Sequence, residues 1–263
     1  MWWEYTEGKQ TYEQLAARYG CSVRTIQRRL DKVEVKVGDS DDGSKLGKVV
    51  IVIDTTYFGR YFGVLLIVDA HRGKMLHREF VKYETNEMYE RCVKGLTEQG
   101  FEVLAIVCDG RKGLFHLFGK TPIQMCQFHQ TAIITRYLTR KPKTLASQEL
   151  RVLTLTLAKT DKQTFSDSLV RWFERWQKFL NERTVNSITG KTFYTHRRLR
   201  SAYRSLKTNL PWMFTFEDHP HLRIPNTTNL LEGIFADLKN KLRCHNGLAK
   251  QRRMKFIDEF FKA

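Results

Sequence analysis

The 263-residue sequence contains no apolar run approaching the roughly 20 residues that a membrane-spanning helix requires. Its start, "MWWEYTEGKQ", lacks the pattern of a cleavable signal. Both absences lead to the expectation of a cytoplasmic protein without a membrane partner. Paired cysteines are missing too: Cys21, Cys92, Cys108, Cys126 and Cys244 are odd in number, scattered, and never form a C-x-x-C pair. That pattern argues against a disulfide framework and against a four-cysteine zinc site, and leaves reduced thiols. Neither an internal repeat nor a low-complexity tract occurs. Acidic residues are scarce, with 28 Asp and Glu against 45 Lys and Arg, a formal charge of +17. Such an excess of cations favours a polyanionic partner, nucleic acid ahead of an acidic membrane surface.

What is present suffices for a globular chain, since 41% of the residues are hydrophobic and 12% aromatic. In "GKQTYEQLAARYGCSVRTIQRRLDKV", Leu15, Ala16 and Tyr19 recur at helical spacing, Gly20 follows, and Ser22 stands where it can cap a second helix. The spacing predicts a helix-turn-helix over residues 1–34. Val23, Ile26 and Leu30 would face the first helix, leaving Arg24, Thr25, Gln27, Arg28 and Arg29 to meet a DNA major groove. An amphipathic hairpin with a solvated basic face is the plainer alternative.

Residues 35–46, rich in Gly, Ser and Asp, read as a linker. Beyond it "KVVIVID" (48–54), "YFGVLLIVDA" (61–70) and "KMLHREFV" (74–81) predict three strands in an antiparallel meander. "TNEMYERCVKGLTEQG" predicts a helix ending at Gly100, and "FEVLAIVCDG" a buried strand ending at Asp109. From 131 to 221 the pattern is helical, with no convincing strand. That segment carries 17 Lys and Arg against 7 Asp and Glu, which makes it a candidate DNA-contacting surface. Trp172, Phe173, Trp176 and Phe179 fall at helical spacing, and core packing is preferred for them over base stacking.

Asp54 and Asp109 each follow an apolar run and are expected at the C-terminal edge of a central strand. Two carboxylates so placed can share divalent cations, and phosphodiester chemistry uses two such ions about 4 Å apart with oxygen ligands. A strand-end Asp can equally begin a turn, as Asp69 shows by having the same local look. Glu232 stands nearly alone among the apolar and basic residues of "NTTNLLEGIFADLKNKLRCHNGL". The spacing Asn229-x-x-Glu232 fits a reciprocal helix cap, whereas the apolar helix around it calls for a satisfied or cation-bound carboxylate. Local chemistry leaves both open. Lys239, two helical turns on, shares the face of Glu232 and could reach a bound phosphate. Cys126 and His129 form a C-x-x-H pair, read as a buried thiol and a hydrogen-bonded histidine, with no zinc expected.

Taken together, "VIDTT...CDGRKGL...CQFHQ...NTTNLLEGIFADLKNKLRCHNGL" resembles the DDE transposases of bacterial insertion sequences in the group related to Mutator elements. The resemblance covers nearly the whole chain and implies an α/β ribonuclease-H-like domain with an all-α insertion, preceded by the helix-turn-helix. It divides the chain into 47–130 and 222–263 as the two parts of the catalytic domain, with 131–221 inserted. By the same resemblance Asp54, Asp109 and Glu232 are the catalytic, metal-binding acids, and Cys126 and His129 fall on the family's C-x-x-H motif. The acids are 55 and 123 residues apart, which fits an insertion before the last. Two Mg²⁺ ions are implied, with Mn²⁺ able to substitute, and so is double-stranded DNA as partner, both terminal inverted repeats and target. A homodimer or higher oligomer on DNA and a nucleoid-associated location in the cytoplasm are expected. Relatives often carry an N-terminal zinc ribbon that this sequence does not show, which puts end recognition in doubt. A non-catalytic repressor binding element ends and a ribonuclease-H-like recombination nuclease are the rival readings.

Overall fold

A computed structural model describes residues 1–35, 47–245 and 248–261. Residues 36–46 of the expected linker lie outside the described residues. Three short helices come first: α1 (Trp2–Thr6), α2 (Tyr12–Arg18) and α3 (Val23–Asp31). The start of α2 is fixed by a capping box, in which the Thr11 hydroxyl accepts from the Gln14 backbone N–H and the Gln14 side chain accepts from the Thr11 N–H. At α3 the Ser22 hydroxyl accepts from the Thr25 N–H at 3.2 Å. Gly20, with φ +58°, makes the turn between them in a conformation that a side chain would strain. Leu15, Ile26 and Leu30 are buried between the helices, while Val23 is only half-buried.

The next elements are β1 (Lys48–Phe58), β2 (Phe62–Asp69), β3 (Met75–Val81), α4 (Asn86–Glu98), β4 (Glu102–Cys108) and β5 (Ile123–Met125). The strands form a mixed sheet in the order β3-β2-β1-β4-β5. The connections from β1 to β2 and from β2 to β3 are too short for anything but antiparallel pairing, whereas β4 runs parallel to β1 and β5 parallel to β4. Between Val49 and Val50 the β1–β4 register shifts by one residue, so that Leu104 is extra on β4. All of β2 is buried, as a strand covered on both faces must be. Val49, Ile51, Ile53, Leu65 and Ile67 form one core with Met88, Tyr89, Cys92, Val93 and Leu96 of α4.

Beyond the sheet lie α5 (Gln127–Leu138), α6 (Leu145–Leu155), α7 (Lys162–Asn181), β6 (Arg183–Val185), β7 (Thr192–Tyr194), α8 (Arg197–Met213) and α9 (Thr215–Asp218). Their core gathers Ile134, Leu150, Phe165, Leu169, Trp172, Leu206 and Phe214. Trp172 is 5% exposed and donates its indole N–H to the Ala146 carbonyl at 3.1 Å. Phe173, Trp176 and Phe179 pack against the same core, so the aromatic stripe is a packing stripe, as expected. The expectation of a strand-free 131–221 is corrected by the β6–β7 hairpin. The Asn186 side chain accepts from the Ile188 and Thr189 N–H groups at 2.9 Å, and Gly190 at φ +64° closes the turn. Three-residue strands are too short to register against helical period. The short β5 also has no counterpart among the expected strands.

The last helices are α10 (Asn229–Arg243) and α11 (Lys250–Phe260). The chain forms two compact units, one of Met1–Lys45, Thr56–Gly63 and Asn229–Ala263, the other of Leu46–Thr55 and Val64–Thr228. In the first, α11 is tied to the end of α3. Arg252 makes a bidentate pair with Asp31, both bonds 2.8 Å, and the Lys255 ammonium donates to the Leu30 and Asp31 carbonyls at 2.6 and 3.0 Å. Cations on terminal carbonyls complement the helix dipole. Tyr5 packs on His245 and Phe256 in the same unit. Among the described residues no helix is long and apolar enough to cross a membrane.

The hydrogen bonds from Arg252 hold the Asp31 carboxyl below its usual range, against a smaller opposing effect of burial. Asp31→Ala is expected to cost about 0.5–1 kcal/mol at neutral pH, the scale of a well-aligned surface pair. A lowered carboxylate pKa contributes stability above the unfolded value of about 3.9, and that contribution is lost as pH falls through the folded value. Urea unfolding of the wild type and variant should therefore differ at pH 7 and converge in acid.

Candidate active site

Asp54 was expected to end its strand, and here the structure departs from the sequence pattern. β1 continues four residues further, to Phe58, because Thr55, Thr56, Tyr57 and Phe58 have high strand propensity and lead into the hairpin. The parallel ladder with β4, however, stops at Val52↔Val107. Asp54, within β1, and Asp109, the first residue after β4, each lie two residues beyond that pair. Continued with period two, the strands would direct both carboxylates to the same face past the end of the ladder, and the charges of both act on the His129 ring.

Asp54 is 8% exposed, and its Oδ1 accepts from the Thr55 N–H at 2.8 Å. Asp109 is half-buried, and its Oδ1 accepts from the Arg111 N–H at 3.1 Å, turning the chain after β4. Asp69 takes the turn role instead: it is 3% exposed, and its Oδ1 accepts from the His71 and Arg72 N–H groups at 2.8 and 3.2 Å.

Arg111 fixes the loop after β4 to the start of α4. Its guanidinium donates to the Glu84 carbonyl at 2.7 Å and to Asn86 Oδ1 at 2.9 Å, and lies 3.5 Å from Glu84 Oε2. Gly113, at φ +85°, has the Asn86 amide so close that a Cβ would meet it at 2.7 Å. Glu84 is a carboxylate that the sequence reading missed. Burial raises its pKa, as does the negative charge of Asp109, while Arg111, the Thr55 hydroxyl and His129 oppose the rise. Tyr89, 1% exposed and 3.3 Å from the Thr55 hydroxyl, is kept protonated by burial and by the neighbouring acids. Glu84 carries no local signal, since it is one acid among several in "YETNE" and only the fold brings it near Asp109.

The C-x-x-H pair sits on the first turn of α5 and grips the strip 226–228. The Thr228 N–H donates to Cys126 Sγ at 3.3 Å, and its hydroxyl lies 3.3 Å from the same sulfur and 3.4 Å from His129 Nδ1. The Gln127 N–H donates to the Asn226 carbonyl at 2.9 Å, and the Asn226 amide donates to Gln127 Oε1 at 3.1 Å. "CQFHQ" and "NTT" are thus two halves of one clasp. Burial alone would raise the Cys126 thiol, but hydrogen bonds from His129 and Thr228 outweigh it and lower the thiol's pKa. The bond to Cys126 lifts His129 to about 9 against the effect of burial, and the charges of Cys126, Asp54 and Asp109 add to the rise.

Asp54, Asp109, Cys126 and His129 therefore belong to one compact unit. Glu232 and Lys239, both half-buried on α10, belong to the other. Because α10 takes Asn229 as its first residue, the cap position falls on Thr228, whose hydroxyl faces Cys126 and His129. On α3, Arg24, Arg28 and Arg29 are exposed, and Thr25 and Gln27 are half-buried. For a divalent cation the donor chemistry fits: Asp54, 8% exposed, and Asp109 offer carboxylate oxygens of the kind that suit Mg²⁺.

No family model matches the sequence, and no curated protein does. Among solved structures the chain is similar to the simian T-cell lymphotropic virus intasome in complex with PP2A regulatory subunit B56 gamma, at 14% identity and a TM-score of 0.25, over 70% of this chain and 68% of that one. A TM-score so low does not equate the two folds.

In metal-free protein the His129 ring is expected to titrate at about 9, and Cys126→Ala should bring it down toward the ordinary histidine value of about 6.5. A raised histidine pKa stabilises the fold fully below that unfolded value and loses its contribution as pH rises through the folded one. Imidazole shifts followed by NMR check the first statement, and melting curves across that pH range check the second. Thr228→Val should cost about 1–3 kcal/mol, because it leaves buried groups without the hydroxyl.

Proposed function

We propose that the chain is a DNA transposase of the DDE kind, cleaving phosphodiesters at the ends of an element and joining the freed 3′-hydroxyl to target DNA. The observation that carries this reading is the register-equivalent placement of Asp54 and Asp109 beyond the end of the β1–β4 ladder. The formal charge of +17 supports a polyanionic substrate, and the sequence resemblance supplies the third acid, Glu232.

Asp54, Asp109 and Glu232 would hold two Mg²⁺ ions, which supply an activated attacking oxygen and a stabilised leaving oxygen. The rest of the task falls to the chain itself. The Thr55 N–H orients Asp54 and the Arg111 N–H orients Asp109. Arg111 also offsets the charge of Glu84, so that this extra acid does not add its full repulsion beside Asp109. The charges of Asp54 and Asp109 both contribute to the raised pKa of His129, so the ring lies close enough to both aspartates to interact with them. Residues 131–221, with their excess of Lys and Arg, bind backbone phosphates without reading sequence. The exposed face of α3 offers Arg24, Arg28 and Arg29 to the terminal repeats.

Asp54→Ala, Asp109→Ala and Glu232→Ala should each reduce Mg²⁺-dependent nicking of DNA from the flanks of the coding gene by at least about 10²-fold, with binding of that DNA retained. Full nicking by the Glu232 variant removes that residue from the site. Binding by the wild type with no metal-dependent nicking would instead assign the chain to repression of element ends. Replacing Arg24 or Arg28 by Ala should lower the salt slope of binding by about one unit per lost phosphate contact, as measured by fluorescence anisotropy across a salt series.

A further inference from the structure

The face of β3 that looks toward α4 should be apolar, and at Val81 it is. At His77 and Glu79 it is not. Cys92 of α4, 3% exposed, comes down opposite them. The thiol donates to Glu79 Oε2 at 3.5 Å, His77 Nε2 lies 3.7 Å from the same oxygen, and the three ligand atoms are all within 4.8 Å of one another. Glu79 Oε1 is taken by the Arg91 guanidinium, leaving Oε2 directed at the sulfur and the ring nitrogen. His77 Nε2 is buried and has no hydrogen-bond partner, a condition that buried polar atoms rarely tolerate without a reason.

We infer that His77, Glu79 and Cys92 form a binding site for a divalent cation of borderline softness, of the Zn²⁺ class, distinct from the acidic site. One nitrogen, one oxygen and one sulfur are the donors such an ion prefers, and an all-oxygen Mg²⁺ site has no use for the sulfur. Bond lengths of about 2.3 Å to sulfur and about 2.0 Å to oxygen in a tetrahedron put those two ligands about 3.5 Å apart. The thiol and Glu79 already have that separation, so the site closes with a small movement of His77. On binding, the Cys92 S–H breaks, its proton goes to solvent, and a metal–sulfur bond replaces the thiol–carboxylate hydrogen bond. One thiolate and one carboxylate neutralise the ion's two charges. Water takes the fourth position, since the His77 and Glu79 side chains are 30% and 32% exposed. The ion would tie the sheet's edge strand to its covering helix and satisfy the orphaned ring nitrogen.

The test uses metal-free full-length protein titrated with Co²⁺, a tetrahedral Zn²⁺ substitute with a visible sulfur-to-metal charge-transfer band. One equivalent should produce the band and raise the melting temperature. Cys92→Ser should abolish the band, while Cys126→Ser, which alters the other cysteine–histidine pair, should keep it. His77→Gln and Glu79→Gln, at part-exposed positions, should keep the sulfur band but weaken Zn²⁺ competition by at least about tenfold. Absence of the band in wild-type protein, its survival in Cys92→Ser, or its loss in Cys126→Ser overturns the assignment. Unchanged Zn²⁺ affinity in both glutamine variants does the same.

Discussion

Taking carboxylates out of water beside one another is the costly act around which the sheet-bearing unit is built. Two aspartates lie at matched positions beyond the β1–β4 ladder, and a third acid, Glu84, is close enough for the charge of Asp109 to raise its pKa. A lone ionised carboxylate in such surroundings would take up a proton. Around the acids the chain supplies compensations: backbone N–H groups from Thr55 and Arg111, and the Arg111 guanidinium. Each depends on rigid backbone placement, which the apolar strands beneath provide.

The clasp between the C-x-x-H motif and the strip 226–228 bears on that balance in a second way. Cys126 is both the residue that lifts the His129 pKa and the residue that accepts from the Thr228 backbone. One sulfur thereby links the charge state of a ring near the aspartates to the backbone at Thr228.

Much of this architecture can be read from the residues alone. β-Branched runs predicted the central strands, Ser22 as a cap predicted the start of α3, and the switch to helical period near residue 131 located the helical segment. What escaped reading had physical reasons. β5, β6 and β7 are three residues each, shorter than any period can reveal. β1 runs past Asp54 because its continuation pairs in a hairpin, a tertiary fact. Glu84 gains its meaning only from Asp109, 25 residues away, and Cys92 from a strand edge that sequence inspection treated as ordinary alternation. Asp69 has the same local look as Asp54 in the sequence, set apart there only by its place on the second strand, and in the structure its Oδ1 accepts from the His71 and Arg72 N–H groups of a turn.

The irregularity at Val49/Val50 settles which side of the sheet Asp109 serves. Downstream of it β1 residues pair with β4 residues 55 positions later, whereas upstream the offset is 54. Had the upstream offset persisted, Asp54 would lie opposite Cys108, and Asp109 would emerge on the reverse face. The unpaired Leu104 thus acts as a one-residue phase shifter. A change in strand length of a single residue, remote from every ionisable group discussed, decides whether two acids converge or turn their backs on each other.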